Sequence, residues 1–203
     1  MSERRYTAFH EGAHAVADHR LGFVCLGATI APRGDTLGAA QAMDGWNDEQ
    51  QARDSLTALY AGYCASIEAG EDEAVARKGA DHDFEQADEV LVCLGAAETE
   101  CLDVAFAFVR EPSNWRAIEL VAAELLLHEV LNGDEVAILV AIADGEGTRA
   151  DLGSVSRCPP GRLQLNGRHA RPPAHTVGRC RDDELQSADG FSAHTGGGRV
   201  AAR

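Results

Sequence analysis

Apolar residues recur at the spacing of an amphipathic helix through most of the first 145 residues, and Gly, Pro and capping side chains separate the helical stretches. The predicted helices, with their capping residues, span about 2–20, 47–69, 81–93, 98–110, 113–130 and 134–143. Two short stretches at about 24–30 and 36–43 flank a turn signal and predict one β-hairpin. The acidic segment 71–78 is predicted to be a loop. We therefore expect a mainly α fold, of α+β type, with one small hairpin.

Beyond about residue 145 the pattern changes. The remaining chain is rich in Gly, Pro, Arg and His and shows no apolar periodicity. A segment of this kind lacks the apolar surface needed to offset the entropy of folding. The predicted organisation is a folded domain over residues 1–145 followed by a disordered tail over 146–203.

The first predicted helix carries the pattern H-E-x-x-H at His10, Glu11 and His14. Residues four apart lie on the same helix face, so both imidazoles can reach one cation. Glu11 lies roughly 100° around the helix from His10, where its carboxylate can contact a water on the metal rather than the metal itself. This combination is typical of zinc metallopeptidases, in which the metal polarises a water and the carboxylate takes its proton.

Composition narrows the possible partners and compartment. The net charge of −15 argues against binding to nucleic acid or to anionic membranes. No run of 18 apolar residues is present, so no membrane span is predicted. The six cysteines form no C-x-x-C pair, and the N-terminus has no signal-peptide pattern. A cytoplasmic protein with reduced thiols is therefore expected.

Two histidines do not complete a zinc site, so a third protein ligand is needed. Glu68, late in the long predicted helix, is one candidate. Asp83, in the first turn of the next helix, is the other, and the helix N-terminus there favours its ionised form. General physical chemistry does not choose between these two carboxylates.

Four blocks of sequence resemble a known family. They read TAFHEGAHAV at residues 7–16, ATIAPRGDTLG at 28–38, GADHDFEQA at 79–87 and LLLHEVLNGDEV at 125–136. In this order they resemble the peptidase domain of the FtsH-type AAA zinc proteases, which reads approximately TAYHEAGHA, TIIPRG-x-x-LG, GASNDL-x-x-A and LL-x-x-ETL-x-G-x-EI. The resemblance implies a zincin-like helical peptidase domain that binds one Zn²⁺ per chain, with Asp83 as the third ligand beside His10 and His14.

The chain departs from the family pattern at several points. Gly12 and Ala13 are exchanged relative to the family, and Ser66 stands where an acid is usual. The ATPase module and membrane anchor that normally precede this domain do not appear in the sequence, so a stand-alone relative is expected. A docked ATPase or an oligomeric partner encoded elsewhere is a further expectation.

These observations lead to one favoured function and one rival. The favoured function is a zinc endopeptidase that hydrolyses unfolded or flexible polypeptides, with Glu11 as general base. Substrate is expected to pair with a free strand edge at about residues 24–30. The rival is a catalytically weak or inactive module that keeps the peptidase fold for binding or regulation.

Overall fold

The computed structural model describes residues 3–32, 39–41 and 48–155. Within them the elements are α1 (Glu3–Arg20), β1 (Gly27–Thr29), β2 (Ala39–Gln41), α2 (Glu49–Glu68), α3 (Glu73–Gly79), α4 (Asp81–Leu94), α5 (Glu98–Arg110), α6 (Pro112–His128), β3 (Val130–Asn132), α7 (Gly133–Asp144) and α8 (Arg149–Leu152). The predicted mainly helical class is therefore confirmed. None of the helices described combines the length and the apolar character that crossing a bilayer requires.

Helix α1 is the central element, packed against α2 on one side and α6 on the other. Its buried positions are mostly small, including Ala8, Ala13 and Ala17. At Gly12 an added Cβ would lie 3.4 Å from the backbone nitrogen of Ala122 in α6, which shows how closely the two helices approach. Small side chains on α1 thus allow the neighbouring helices to pack closely against it.

The sheet has the strand order β2-β1-β3, and both pairings are antiparallel. The β1–β2 pair confirms the predicted hairpin. Val130, the first residue of β3, was predicted to end a helix, but α6 ends at His128 and the next residue, Glu129, has a left-handed φ of 64°. The carbonyl oxygen of Glu129 accepts hydrogen bonds from the backbone of Ile30 (2.8 Å) and the hydroxyl of Thr29 (3.1 Å).

The third strand also corrects the predicted substrate edge. Because β1 lies between β2 and β3, both of its edges are already paired. Gly27 shows how tight this pairing is: a Cβ there would lie 2.2 Å from the carbonyl oxygen of Leu131. The prediction that residues 24–30 offer a free strand edge is therefore wrong for β1.

Two further segments differ from the predictions. The acidic segment after residue 71 contains helix α3, whose first turn is capped by the Asp72 carboxylate. Helix α8 lies beyond the predicted domain boundary at residue 145, with Leu152 only 5% exposed and Arg149 paired to Glu124 at 2.7 Å. The rest of the predicted tail, residues 156–203, lies outside the described residues.

Candidate metal centre

The two histidines of the motif lie on one face of α1, as their spacing predicts. Their Nε2 atoms are 3.1 Å apart. Nδ1 of His14 is 2.8 Å from the carbonyl oxygen of Ala58 in α2. Because a carbonyl oxygen only accepts, Nδ1 carries the proton, and Nε2 of a neutral His14 presents its lone pair to the centre. A backbone group of α2 thus fixes the orientation of one ligand ring.

The third group of the centre is Asp83, from the first turn of α4. Its Oδ2 is 3.1 Å from Nε2 of His10 and 3.4 Å from Nε2 of His14. The next residue, Phe84, packs its ring on Tyr60 and Tyr63 of α2, with centroids 4.9 and 5.3 Å apart. The aromatic contact between α4 and α2 therefore holds the carboxylate opposite the histidines.

The spacing of these three atoms fits a metal ion. Ligands about 2.0–2.1 Å from a tetrahedral zinc are about 3.3–3.4 Å from one another along the edges of the tetrahedron. The observed separations of 3.1, 3.1 and 3.4 Å lie close to that edge length. The group formed by His10, His14 and Asp83 could therefore hold a metal ion.

Helix α2 leaves room for this arrangement through Gly62. A Cβ at this position would lie 2.4 Å from Nε2 of His14 and 2.8 Å from Nε2 of His10. No side chain fits there while the rings keep their positions. The sequence signal was a glycine inside a predicted helix, which costs stability and usually has a packing or functional reason. The two histidines that face Gly62, however, lie in another helix, α1.

The electrostatics of the centre favour a cation. The three side chains are between 12% and 19% exposed. Burial disfavours the charged form of His14, but the Asp83 carboxylate, with smaller contributions from Glu11 and the Ala58 carbonyl, raises the pKa of His14 to about 10. Burial likewise opposes the charge of Asp83, yet the two histidines hold the pKa of Asp83 well below its ordinary value. When no metal is bound, a protonated His14 therefore lies beside the ionised carboxylate of Asp83.

Glu11 lies beside this centre but outside the group of three ligand atoms. Its side chain is buried, with 7% exposure, and its negative charge is one of the influences that raise the pKa of His14. A second carboxylate therefore lies within electrostatic range of the cation site without being one of its ligands.

Glu68, the alternative third ligand, does not lie in the group. Its carboxylate accepts a hydrogen bond of 2.6 Å from Nε of Arg110 in α5. The sequence left the choice between Glu68 and Asp83 open, and the packing of α4 on α2 places Asp83 at the histidines.

Comparison with models of known protein families and with curated proteins found no match to this chain.

Proposed function

We propose that this protein is a zinc-dependent endopeptidase with a zincin-like domain similar to the peptidase half of the FtsH-type proteases. One observation carries the proposal. Three ligand atoms, two from α1 and one from α4, are separated by the edge lengths of a tetrahedral zinc site, and α1 also carries the buried Glu11 beside His10 in the sequence. Two imidazoles with one carboxylate form a ligand set that catalytic zinc sites use, leaving a fourth position open for water.

His10, His14 and Asp83 would hold the metal, which when bound supplies a polarised water and a Lewis acid for the scissile carbonyl. In this proposal the Glu11 carboxylate accepts the proton of the attacking water and then delivers it to the leaving amine nitrogen. The Ala58 carbonyl keeps the tautomer of His14 fixed by accepting the Nδ1 proton. Burial of Glu11 strengthens its interactions, because less water screens its charge.

Glu11→Gln tests this mechanism. The amide has nearly the same shape, so the variant should keep about one zinc per chain and the wild-type melting temperature. It cannot accept the proton, so hydrolysis of an unfolded substrate such as casein should fall about 10²- to 10⁴-fold. Glu3→Gln, an exposed change in the same helix, is the matched control and should remain active.

The outcomes separate the proposal from its rival. A Glu11→Gln variant as active as the wild type would remove Glu11 from the mechanism. A wild type that binds zinc but cleaves neither casein nor flexible peptides, alone or with candidate ATPases, would favour the inactive binding module. Flexible polypeptide as substrate and an ATPase as partner are proposals that come from the family resemblance.

A further inference from the structure

The turn of α4 that carries Asp83 begins without a capping side chain. The residue at its N-cap position is Ala80, which forms no side-chain cap hydrogen bond. By contrast, the Asp72 carboxylate caps the preceding helix, α3. The first turn of a helix has backbone N–H groups without partners inside the helix, and a cap normally satisfies one of them and fixes the turn. The turn that presents Asp83 to the two histidines must therefore be held by other contacts.

Arg77, in the last turn of α3, makes two contacts with this turn. Its guanidinium carbon lies 3.3 Å from the centroid of the Phe84 ring, so the cation lies directly over the ring. Its Nη1 lies 3.5 Å from Oδ1 of Asp81. Asp81 and Phe84 stand on either side of Asp83 in the sequence. One arginine therefore contacts both ends of the segment that carries the ligand.

The contact with the Phe84 ring is the stronger of the two. The side chains of Arg77 and Asp81 are 43% and 67% exposed, so water screens their ion pair. Phe84 is only 3% exposed, and its ring also contacts Tyr60 and Tyr63 of α2, with centroids 4.9 and 5.3 Å away. Because the ring is shielded from water, its attraction to the cation is screened less than the ion pair. Arg77 thus covers the ring that anchors α4 to α2.

We propose that Arg77 is a positioning residue for Asp83. Stacked on Phe84, its guanidinium fixes the first turn of α4 against α2. This keeps Oδ2 of Asp83 at 3.1 and 3.4 Å from the Nε2 atoms of the two histidines. Bonds between protein and metal hold within about 0.2 Å of their usual lengths, so a small shift of this turn is enough to weaken the site. The inference rests on the metal site of the proposed function, but not on peptide hydrolysis.

The test measures metal binding rather than activity. Cobalt(II) is titrated into the metal-free wild type and the Arg77→Ala variant, and affinity is read from the visible d–d absorption. Loss of a residue that holds a metal ligand from outside the ligand set typically weakens metal binding about 10- to 100-fold. Because Arg77 acts through Phe84, we expect a loss at the lower end, about 10-fold. Arg77→Lys keeps the positive charge but not the planar guanidinium, so it should recover part of the affinity.

Arg53→Ala is the matched control. Arg53 lies in α2 and forms an ion pair of 2.8 Å with Glu49, four residues earlier. Its side chain is 48% exposed, close to the 43% of Arg77. The control therefore removes the same charge and a similar ion pair without changing the first turn of α4. It should bind cobalt like the wild type.

A spectroscopic readout separates positioning from a general loss of structure. In the zinc-loaded protein, the carboxyl ¹³C resonance of Asp83 should move in Arg77→Ala. The Nδ1 ¹⁵N resonance of His14, whose proton the Ala58 carbonyl accepts, should stay. Arg77→Lys should show a smaller change of the same kind, and it keeps the test available if Arg77→Ala does not fold.

The outcomes distinguish this inference from the metal proposal. Wild-type affinity with an unchanged Asp83 resonance in Arg77→Ala would overturn the inference alone. Equal losses of affinity in Arg77→Ala and Arg53→Ala would also overturn it, since removal of a positive charge would then be the cause. A wild type that binds neither cobalt nor zinc would overturn the metal proposal, and this inference with it.

Discussion

Gly62→Ala tests the metal centre without touching any ligand. The new methyl carbon would lie 2.4 Å from Nε2 of His14 and 2.8 Å from two atoms of the His10 ring. Since ordinary contacts of a Cβ begin near 3.4 Å, the His14 ring or α2 has to move by about 1 Å. Protein–metal bonds hold within about 0.2 Å of their usual lengths. A His14 ring displaced by this distance cannot stay at bonding distance from the metal.

We expect Gly62→Ala to lose much of its metal affinity but little of its folding stability. Losing one of three protein ligands should weaken metal binding by more than about 100-fold, since loss of an outer partner alone costs about 10- to 100-fold. Overpacking costs about 1–3 kcal/mol of folding free energy. Replacing a helix glycine by alanine returns about 1 kcal/mol. The metal-free variant should thus lose no more than about 2 kcal/mol of stability while its metal site fails.

Isothermal titration with zinc and urea unfolding of the metal-free protein measure these two quantities. Gly12→Ala is the matched control, because the nearest neighbours of its Cβ, in α6, lie at the ordinary contact distance of 3.4 Å. It should bind zinc like the wild type although it lies between the two ligand histidines. A Gly62→Ala protein that binds one zinc per chain with wild-type affinity would refute the geometry described for the centre.

Three further predictions concern the ligand, a buried acid and the C-terminal boundary. Asp83→Ala should empty or strongly weaken the proposed zinc site, whereas Glu68→Ala should keep the wild-type zinc content measured by atomic absorption. Burial raises the pKa of Asp18 to about 6, with the charge of His14 opposing it, so ionisation of Asp18 costs stability as pH rises from about 4 through 6. Asp18→Asn should therefore raise the unfolding free energy of metal-free protein by up to about 3 kcal/mol at pH 7.5, and by little at pH 4. Truncation after residue 147 removes buried Leu152 and should lower the unfolding free energy in urea by about 1.5–3 kcal/mol. Because the sequence predicts a disordered tail, truncation after residue 155 should leave the unfolding free energy unchanged.

Each of these has an outcome that contradicts it. Wild-type zinc content in Asp83→Ala would make the third ligand wrong. An Asp18→Asn gain that is equal at both pH values would show that removal of the charge is not its cause. An unchanged unfolding free energy after truncation at 147 would mean that α8 contributes nothing to the stability of the domain. A fall after truncation at 155 would show that part of 156–203 packs on it.

Local signals accounted for most of the helices. The bounds of α5 agree with the sequence prediction because Gly95 precedes it and Pro112 follows it closely. Strand β3 was missed because its apolar residues continue the pattern of α6, and its partner β1 lies about a hundred positions earlier. Helix α3 was missed because its charged composition resembles a loop. When a strand forms by pairing with a distant part of the chain, the local sequence pattern does not predict it.

The residues of the candidate site also differ in how well the sequence alone predicts them. The spacing of His10 and His14 is a property of one helix, so the sequence was enough to pair them. The choice of Asp83 over Glu68 depends on how α4 packs on α2, which only the family resemblance indicated beforehand. Gly62 was not identified as part of the site because its neighbours come from α1. A residue whose role depends on contacts with another helix gives little signal in its own stretch of sequence.

A metal held by His10, His14 and Asp83 would also cross-link two helices of the domain. His10 and Asp83 lie about seventy positions apart, on helices whose main contacts run through α2 rather than directly to each other. An ion that binds only the folded chain stabilises it by about 2.7 kcal/mol at a free concentration one hundred times its dissociation constant. A chelator should therefore loosen the attachment of α4 as well as empty the centre. A metal bound at this centre would thus add to the stability of the folded chain.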